Sequence, residues 1–276
     1  MRFLEEIKPE PIIIGNKHFL YTEDCLNILK QIPDKKIKLV ITDPPYNIGL
    51  KYNYYKDNVA WEDYYKQLEE RLAQIARILT DDGSLYWINY PEINAKTMPL
   101  IDKTGLIFRR WLTWHYPTNI GHSDTNYTKS QRSILFYTKS RKNTFNKNQI
   151  LQPYKNPDVG KIKKLIASGK TGRVPYDTLN MQDLFEIFKE ENPSVLYFNL
   201  LKNVSKEREI NHPCQLPPAL LKVFIKASSN PGDIILDCYA GTFTTSLAAK
   251  ELGRKSVGID IDKRYVEYGK KRLENG

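Results

Sequence analysis

Long apolar runs are missing from this 276-residue chain. No stretch approaches the roughly 18 consecutive apolar residues that a membrane-spanning helix needs, so no membrane role is expected. Cysteine is scarce: Cys25, Cys214 and Cys238 are odd in number and show no paired spacing. They supply neither a disulfide framework nor a zinc site, and no metal is expected. The opening Met1-Arg2-Phe3-Leu4-Glu5-Glu6 is too polar and acidic for a secretory signal, so a reducing, cytoplasmic compartment is expected. There is no GxGxxG fingerprint for a dinucleotide, no zinc-finger or homeodomain-like signature and no internal repeat. What the chain does have is a 41% apolar share, adequate for one large core, and a net charge of +10. That charge suits a polyanionic partner, although a basic soluble enzyme would carry it too.

The most informative segment is Asp43-Pro44-Pro45-Tyr46. It follows Ile37-Lys38-Leu39-Val40-Ile41-Thr42, a short run rich in β-branched residues that reads as a buried strand. In open α/β sheets, ligands bind at such carboxyl ends. Proline fixes φ and lacks an N–H, so two in succession make a rigid corner. The Asp43 carboxylate and a carbonyl of that corner could accept both protons of an exocyclic amine on a nucleobase. Tyr46 would offer a face for the base to stack on. Fixed acceptors favour a pyramidal nitrogen and free its lone pair for attack, by positioning and electrostatics alone. A plain Asp-Pro-Pro turn with a surface tyrosine fits the tetrapeptide equally well at this point.

The rest of the chain alternates strand and helix. His18–Tyr21 reads as a strand, followed by a helical turn through Leu26 and Leu29. Asn47 to Asn58 is a polar, tyrosine-rich loop, a candidate lid. Trp61, Tyr64, Tyr65, Leu68, Leu72, Ile75, Ala76 and Leu79 form one apolar helical face, read as core packing. Asp81-Asp82-Gly83 is expected to end that helix, with strands at Ser84–Ile88, Phe108–Trp114 and Ser133–Thr138. Residues 141–209 differ in texture, with 13 Lys or Arg against 8 Asp or Glu and little apolar periodicity. They read as an insertion off the sheet layer, either a solvated excursion or a surface for phosphates and bases. A helix from Pro217 to Ser228 follows, then strand Ile234–Cys238, the turn Tyr239-Ala240-Gly241-Thr242-Phe243, helix Ser246–Leu252, strand Lys255–Asp260 and helix Arg264–Leu273. Strand, glycine turn, helix, strand and acid outline a nucleoside-binding βαβ unit, with Asp260 in range of a ribose hydroxyl.

Together these segments resemble the amino-methylating DNA methyltransferases. The resemblance is carried by Asp24-Cys25-Leu26, Asp43-Pro44-Pro45-Tyr46, Asp82-Gly83-Ser84-Leu85-Tyr86, His212-Pro213-Cys214-Gln215, Asp237-Cys238-Tyr239-Ala240-Gly241-Thr242 and Val257-Gly258-Ile259-Asp260. The catalytic motif comes first and the cofactor motif last, which looks like the β-type, circularly permuted order. The resemblance implies an α/β, Rossmann-like S-adenosylmethionine-dependent fold, with a mixed seven-stranded sheet and helices on both faces. It implies a discontinuous catalytic domain at 1–140 and 210–276, with a target recognition insertion at 141–209. Asp43, Pro44, Pro45 and Tyr46 match the catalytic motif. Asp24, Cys25, Asp43, His212, Gln215, Asp237, Tyr239, Ala240, Gly241, Thr242, Asp260 and Ile261 match positions around S-adenosylmethionine. A motif beginning with Asp leans toward adenine N6, with cytosine N4 as the alternative. Double-stranded DNA, a homodimer, a separately acting restriction endonuclease and a prokaryotic cytoplasm follow as expectations from the same resemblance. RNA shares the amine chemistry, and Trp114, His115 and Tyr116 are candidates for a flipped-base pocket.

Two departures fall in the cofactor half. Phe243 stands where the family loop has a second glycine, and Leu216 where it has a lysine. A side chain with a Cβ is expected to avoid positive φ and close backbone approach. Altered cofactor binding, or even a cofactor-impaired DNA-binding subunit, would follow.

Overall fold

The computed structural model describes residues 2–50, 54, 56–115, 124–180, 187 and 216–275. One mixed sheet organises them. Its strands are β1 (Ile12–Ile14), β2 (His18–Thr22), β3 (Ile37–Thr42), β4 (Leu79–Asn89), β5 (Ile107–His115), β6 (Gln131–Thr138), β7 (Thr178–Leu179), β8 (Ile234–Asp237) and β9 (Lys255–Asp260). They lie in the order β1-β2-β9-β8-β3-β4-β6-β5-β7. The five from β2 to β4 in that order run parallel, and β6 turns antiparallel against β4. The expected seven strands are therefore the span from β2 to β5, with the short β1 and β7 added at the two edges.

Alternation along β3 assigns the two faces. Val40 joins a core with α1 (Arg2–Glu5), α2 (Cys25–Gln31), α3 (Trp61–Ile78) and α4 (Pro91–Lys103). Leu39 and Ile41 join a second core with α6 (Pro218–Ser228) and α7 (Thr244–Glu251). The closing helix α8 (Lys263–Asn275) packs on β2, β9 and α7 with a third, small cluster around Leu20, Phe243, Val266 and Leu273. None of the described helices is long and apolar enough to cross a membrane.

Two segments depart from the sequence reading. Asp81-Asp82-Gly83 lies inside β4 rather than in a turn, because α3 ends at Ile78 and the chain turns extended at once. The register of β3 on β4 skips from Ile37↔Leu79 to Leu39↔Ser84, so the acidic residues bulge out. Asp82 is held there by Lys38 at 2.5 Å and by the hydroxyls of Thr80 and Thr144. Gly83 is required at the bulge, since a Cβ would stand 2.9 Å from the Thr80 carbonyl oxygen.

The basic segment after Arg141 also reaches the sheet. Asn146 donates its side-chain amide to the carbonyls of Lys226 and Ser229 at the end of α6. Ile150 and Leu179 are buried, and β7 pairs in parallel with β5. Between them α5 (Gly160–Ala167) buries none of its residues.

Tyr86 ties the sheet to its second helical layer. Its ring stacks between Phe136 of β6 (4.6 Å) and Phe224 of α6 (4.3 Å). Its hydroxyl lies 2.9 Å from the Ser228 hydroxyl. Tyr86→Ala should cost about 3–5 kcal/mol, as for other large aromatic truncations in cores. A urea titration should show a lowered midpoint with an unchanged m-value; an unmoved midpoint would refute this packing role.

Candidate active site

Parallel pairing places the carboxyl ends of β2, β9, β8 and β3 along one edge. The acids that follow or end them, Asp24, Asp260, Asp237 and Asp43, gather around one cavity of about 220 Å³. Cys25, Pro45, Tyr46, Tyr239, Ala240, Gly241, Thr242 and Ile261 also line it. Of the expected site residues, His212 and Gln215 lie outside the described residues. Pro44 is described but is not part of the cavity wall.

The tetrapeptide is tied down on both sides. The Tyr46 hydroxyl donates to Asp43 Oδ2 at 2.7 Å, and the Tyr64 hydroxyl of α3 donates to the Pro45 carbonyl at 2.7 Å. Of the two corner carbonyls, that of Pro45 is therefore already engaged. Tyr46 is only 2% exposed, unlike the surface tyrosine of a plain turn. It packs edge-on against Tyr90 at 5.1 Å, and the Arg132 guanidinium sits 3.6 Å over Tyr90 and 5.2 Å over Tyr46. Trp114 is fully buried in the second core and His115 is exposed. Neither lines the cavity, and Tyr116 lies outside the described residues.

The loop after Tyr46 has a closed stem. The buried Asp57 carboxylate accepts the N–H groups of Asn47 (2.7 Å), Ile48 (3.1 Å) and Leu50 (2.9 Å). Asn47, at φ 55°, bridges both the N–H and the carbonyl of Val59 with its side chain. Sequence reasoning missed this clamp, although Asx residues that bind nearby backbone are its usual signal. Tyr54, farther along the loop, reaches the cavity wall.

The part of the cavity wall beyond the tetrapeptide's corner is built around Asp237 and Asp260. Asp237 Oδ1 accepts from the Thr42 hydroxyl (3.2 Å) and the Tyr239 N–H (3.1 Å), and Oδ2 accepts from the Thr245 hydroxyl (2.6 Å). Burial pushes its carboxyl up to about 6. Asp260 Oδ2 accepts the Gly241 N–H at 2.8 Å and Oδ1 the Asp262 N–H at 2.8 Å; desolvation raises it to about 7. Asp24 caps α2 by accepting the Leu26 N–H. Arg71 of α3 binds both Asp24 oxygens through Nη2, at 2.9 and 2.7 Å. Arg71 was not read from the sequence; it lies on the Tyr64–Leu68–Arg71 side of the stripe read as core, whose end faces this cavity. Burial pushes the Cys25 thiol up to about 11, so it is no nucleophile at neutral pH.

Phe243 corrects an expectation. It adopts φ 59° and ψ 31°, left-handed, as the glycine would. Its ring is completely buried in the third cluster, away from the cavity that its neighbours line. Leu216 does line the cavity.

Residues 37–271 match the family model N6_N4_Mtase, described as a DNA methylase. The chain is 35% identical to the DNA adenine methyltransferase YhdJ of Escherichia coli over 272 residues, 96% of this chain and 86% of that one. It is 32% identical to the type II methyltransferase M.HpaI of Haemophilus parainfluenzae, covering 93% of this chain and 74% of that one. Among solved structures, the PvuII DNA methyltransferase (cytosine-N4-specific) superposes with a TM-score of 0.66 at 17% identity, covering 93% and 86% of the two chains. The M1.HpyAVI–SAM complex gives 0.63 at 22% identity, covering 93% and 98%. Those two similarities speak to the fold. The family match, spanning both the Asp43 corner and the Asp260 strand, settles the class: this chain belongs to the DNA amino-methyltransferases, which methylate adenine N6 or cytosine N4.

Proposed function

We propose that the chain is a site-specific DNA adenine-N6 methyltransferase that uses S-adenosylmethionine. One observation carries the reading: the amine-accepting corner at Asp43 and the nucleoside-binding pair Gly241–Asp260 open onto the same cavity. The choice of adenine is supported by the 35% identity to a relative named as a DNA adenine methyltransferase. Cytosine N4 is the alternative.

The residues present fit the cofactor. Asp260 would offer carboxylate oxygens to ribose hydroxyls, and the backbone from Tyr239 to Thr242 would hold the methionine part. Asp24, Cys25 and Ile261, on the same wall, would hold the adenine. When bound, S-adenosylmethionine supplies an electrophilic methyl on a sulfonium. The target adenine, flipped from the duplex, donates its N6 protons to Asp43 and the Pro44 carbonyl. Asp43 already accepts from Tyr46, but an ionised carboxylate has about four lone-pair sites, so it accepts the amine as well. Tyr46 provides the ring against which the base rests. With both amine protons held this way, the N6 lone pair would be aimed at that methyl, and the extra proton would pass to water afterwards. Asp43 positions the amine and need not be a strong base.

Phe243 gives no support to a cofactor-impaired subunit, because its ring does not enter the cavity. Residues 141–209 are assigned to target recognition, with Lys161, Lys163 and Lys164 exposed on α5 for phosphate contact. A homodimer, a separate restriction endonuclease and a cytoplasmic setting complete the reading.

Two outcomes test it. Asp43→Ala should lower transfer of labelled methyl groups to DNA by at least about 10³-fold while DNA affinity stays within about twofold. Equal turnover would remove Asp43 from the mechanism. The second concerns pH. A carboxyl raised to about 7 is protonated below that pH and loses acceptor capacity for ribose hydroxyls. Affinity for S-adenosylhomocysteine should therefore fall as pH drops below 7, by up to about tenfold per unit. Asp260→Asn should flatten that profile in calorimetric titration; an unchanged slope would contradict the assignment.

A further inference from the structure

We propose that Phe243 is a positioning residue: its ring is a plug whose seating holds the cofactor loop in shape. This rests on the cofactor reading of that loop. A non-glycine residue in the left-handed region carries strain and persists only where its surroundings impose it. Here the surroundings do so visibly. The fully buried ring occupies a socket formed by Gly258 of β9 and Gly269 of α8. A Cβ at Gly258 would stand 2.5 Å from a ring carbon; at Gly269 it would stand 2.8 Å from the Phe243 Cβ and nearer still to the ring. Neither glycine has positive φ, so what they supply is space.

The plug acts at the right point of the chain. Ala240, Gly241 and Thr242 line the cavity before it, and Thr244 and Thr245 line it after. The Phe243 N–H closes the turn onto the Ala240 carbonyl at 2.7 Å, and its carbonyl accepts the Leu247 N–H at 3.0 Å to begin α7. Helix α8 grips the same turn a second way: Arg272 Nη1 donates to the Thr242 carbonyl (2.6 Å) and the Thr244 hydroxyl (3.0 Å). Gly269 and Arg272 are three residues apart, on one face of the helix. The closing helix is therefore the brace of the cofactor loop, and the Phe243 ring is the part that fits into it. The strain that a glycine would relieve is held here by a side chain that fixes the backbone.

The test is a double-mutant cycle in the full chain, read by calorimetric affinity for S-adenosylhomocysteine and by amide exchange at Gly241 and Thr242. Gly269→Ala alone should weaken binding at least about tenfold and speed exchange, because the methyl evicts the ring. In the Phe243→Gly background the same Gly269→Ala change should be harmless, within about twofold. Phe243→Leu, a smaller apolar plug, should fall between the unaltered chain and Phe243→Gly, and covers the case in which Gly269→Ala does not fold. DNA affinity should stay constant throughout, which a general loss of structure would not allow. Equal penalties for Gly269→Ala in both backgrounds, or unaltered binding and exchange in Phe243→Leu and Phe243→Gly, would overturn the inference. Failure of the unaltered chain to bind S-adenosylhomocysteine would overturn the cofactor reading instead, and the exchange rates would still decide whether the ring braces the loop.

Discussion

The site depends on the parallel pairing of β3 with β8. Leu39↔Ile235 and Val40↔Leu236 bring together strands from opposite ends of the chain, and the Thr42 hydroxyl then reaches Asp237 at 3.2 Å. That bond joins the last residue of β3, just before the Asp43 corner, to the acid that anchors the turn after β8. A register slip of one residue would reverse the faces of β3 and turn Thr42 away from Asp237. The two cores on either side of β3, set by alternation of Leu39, Val40 and Ile41, fix that register.

The cavity is an acidic place in a basic protein. Asp43, Asp237 and Asp260 face it with Asp24, whereas the net charge of the chain is +10. The two signs suit different partners. Burial raises Asp237 and Asp260 because their charged forms lose hydration, and each is repaid by backbone N–H or hydroxyl donors. A cationic, hydroxyl-rich nucleoside complements such a wall. The exposed lysines of α5 and the rest of the surface complement a phosphate backbone.

Much of this was legible in the residues. The β-branched run before Asp43, the glycine turn before α7 and the acid ending β9 are local patterns, and each stands where the pattern put it. What escaped the sequence depends on distant partners. Asp81-Asp82-Gly83 has turn composition, yet its place in β4 is dictated by Lys38 and Thr144. Arg71 sits on a helical stripe that looks like core, and only the fold shows that one end of the stripe meets Asp24. The left-handed Phe243 contradicts its intrinsic preference because Gly258 and Gly269, 15 and 26 residues on, leave a socket for its ring. Thr178–Leu179 joins the sheet from a polar stretch too short to show a period of two.

The most direct measurement is mass spectrometry of deoxynucleosides after incubating the protein with S-adenosylmethionine and DNA of mixed sequence. The account requires methylated deoxyadenosine carrying the new methyl on N6, formed by the unaltered chain. Methylated deoxycytidine would keep the shared cavity but contradict the base assigned to it, and an absence of any methylated nucleoside would contradict the joining of donor and amine sites on which the account rests.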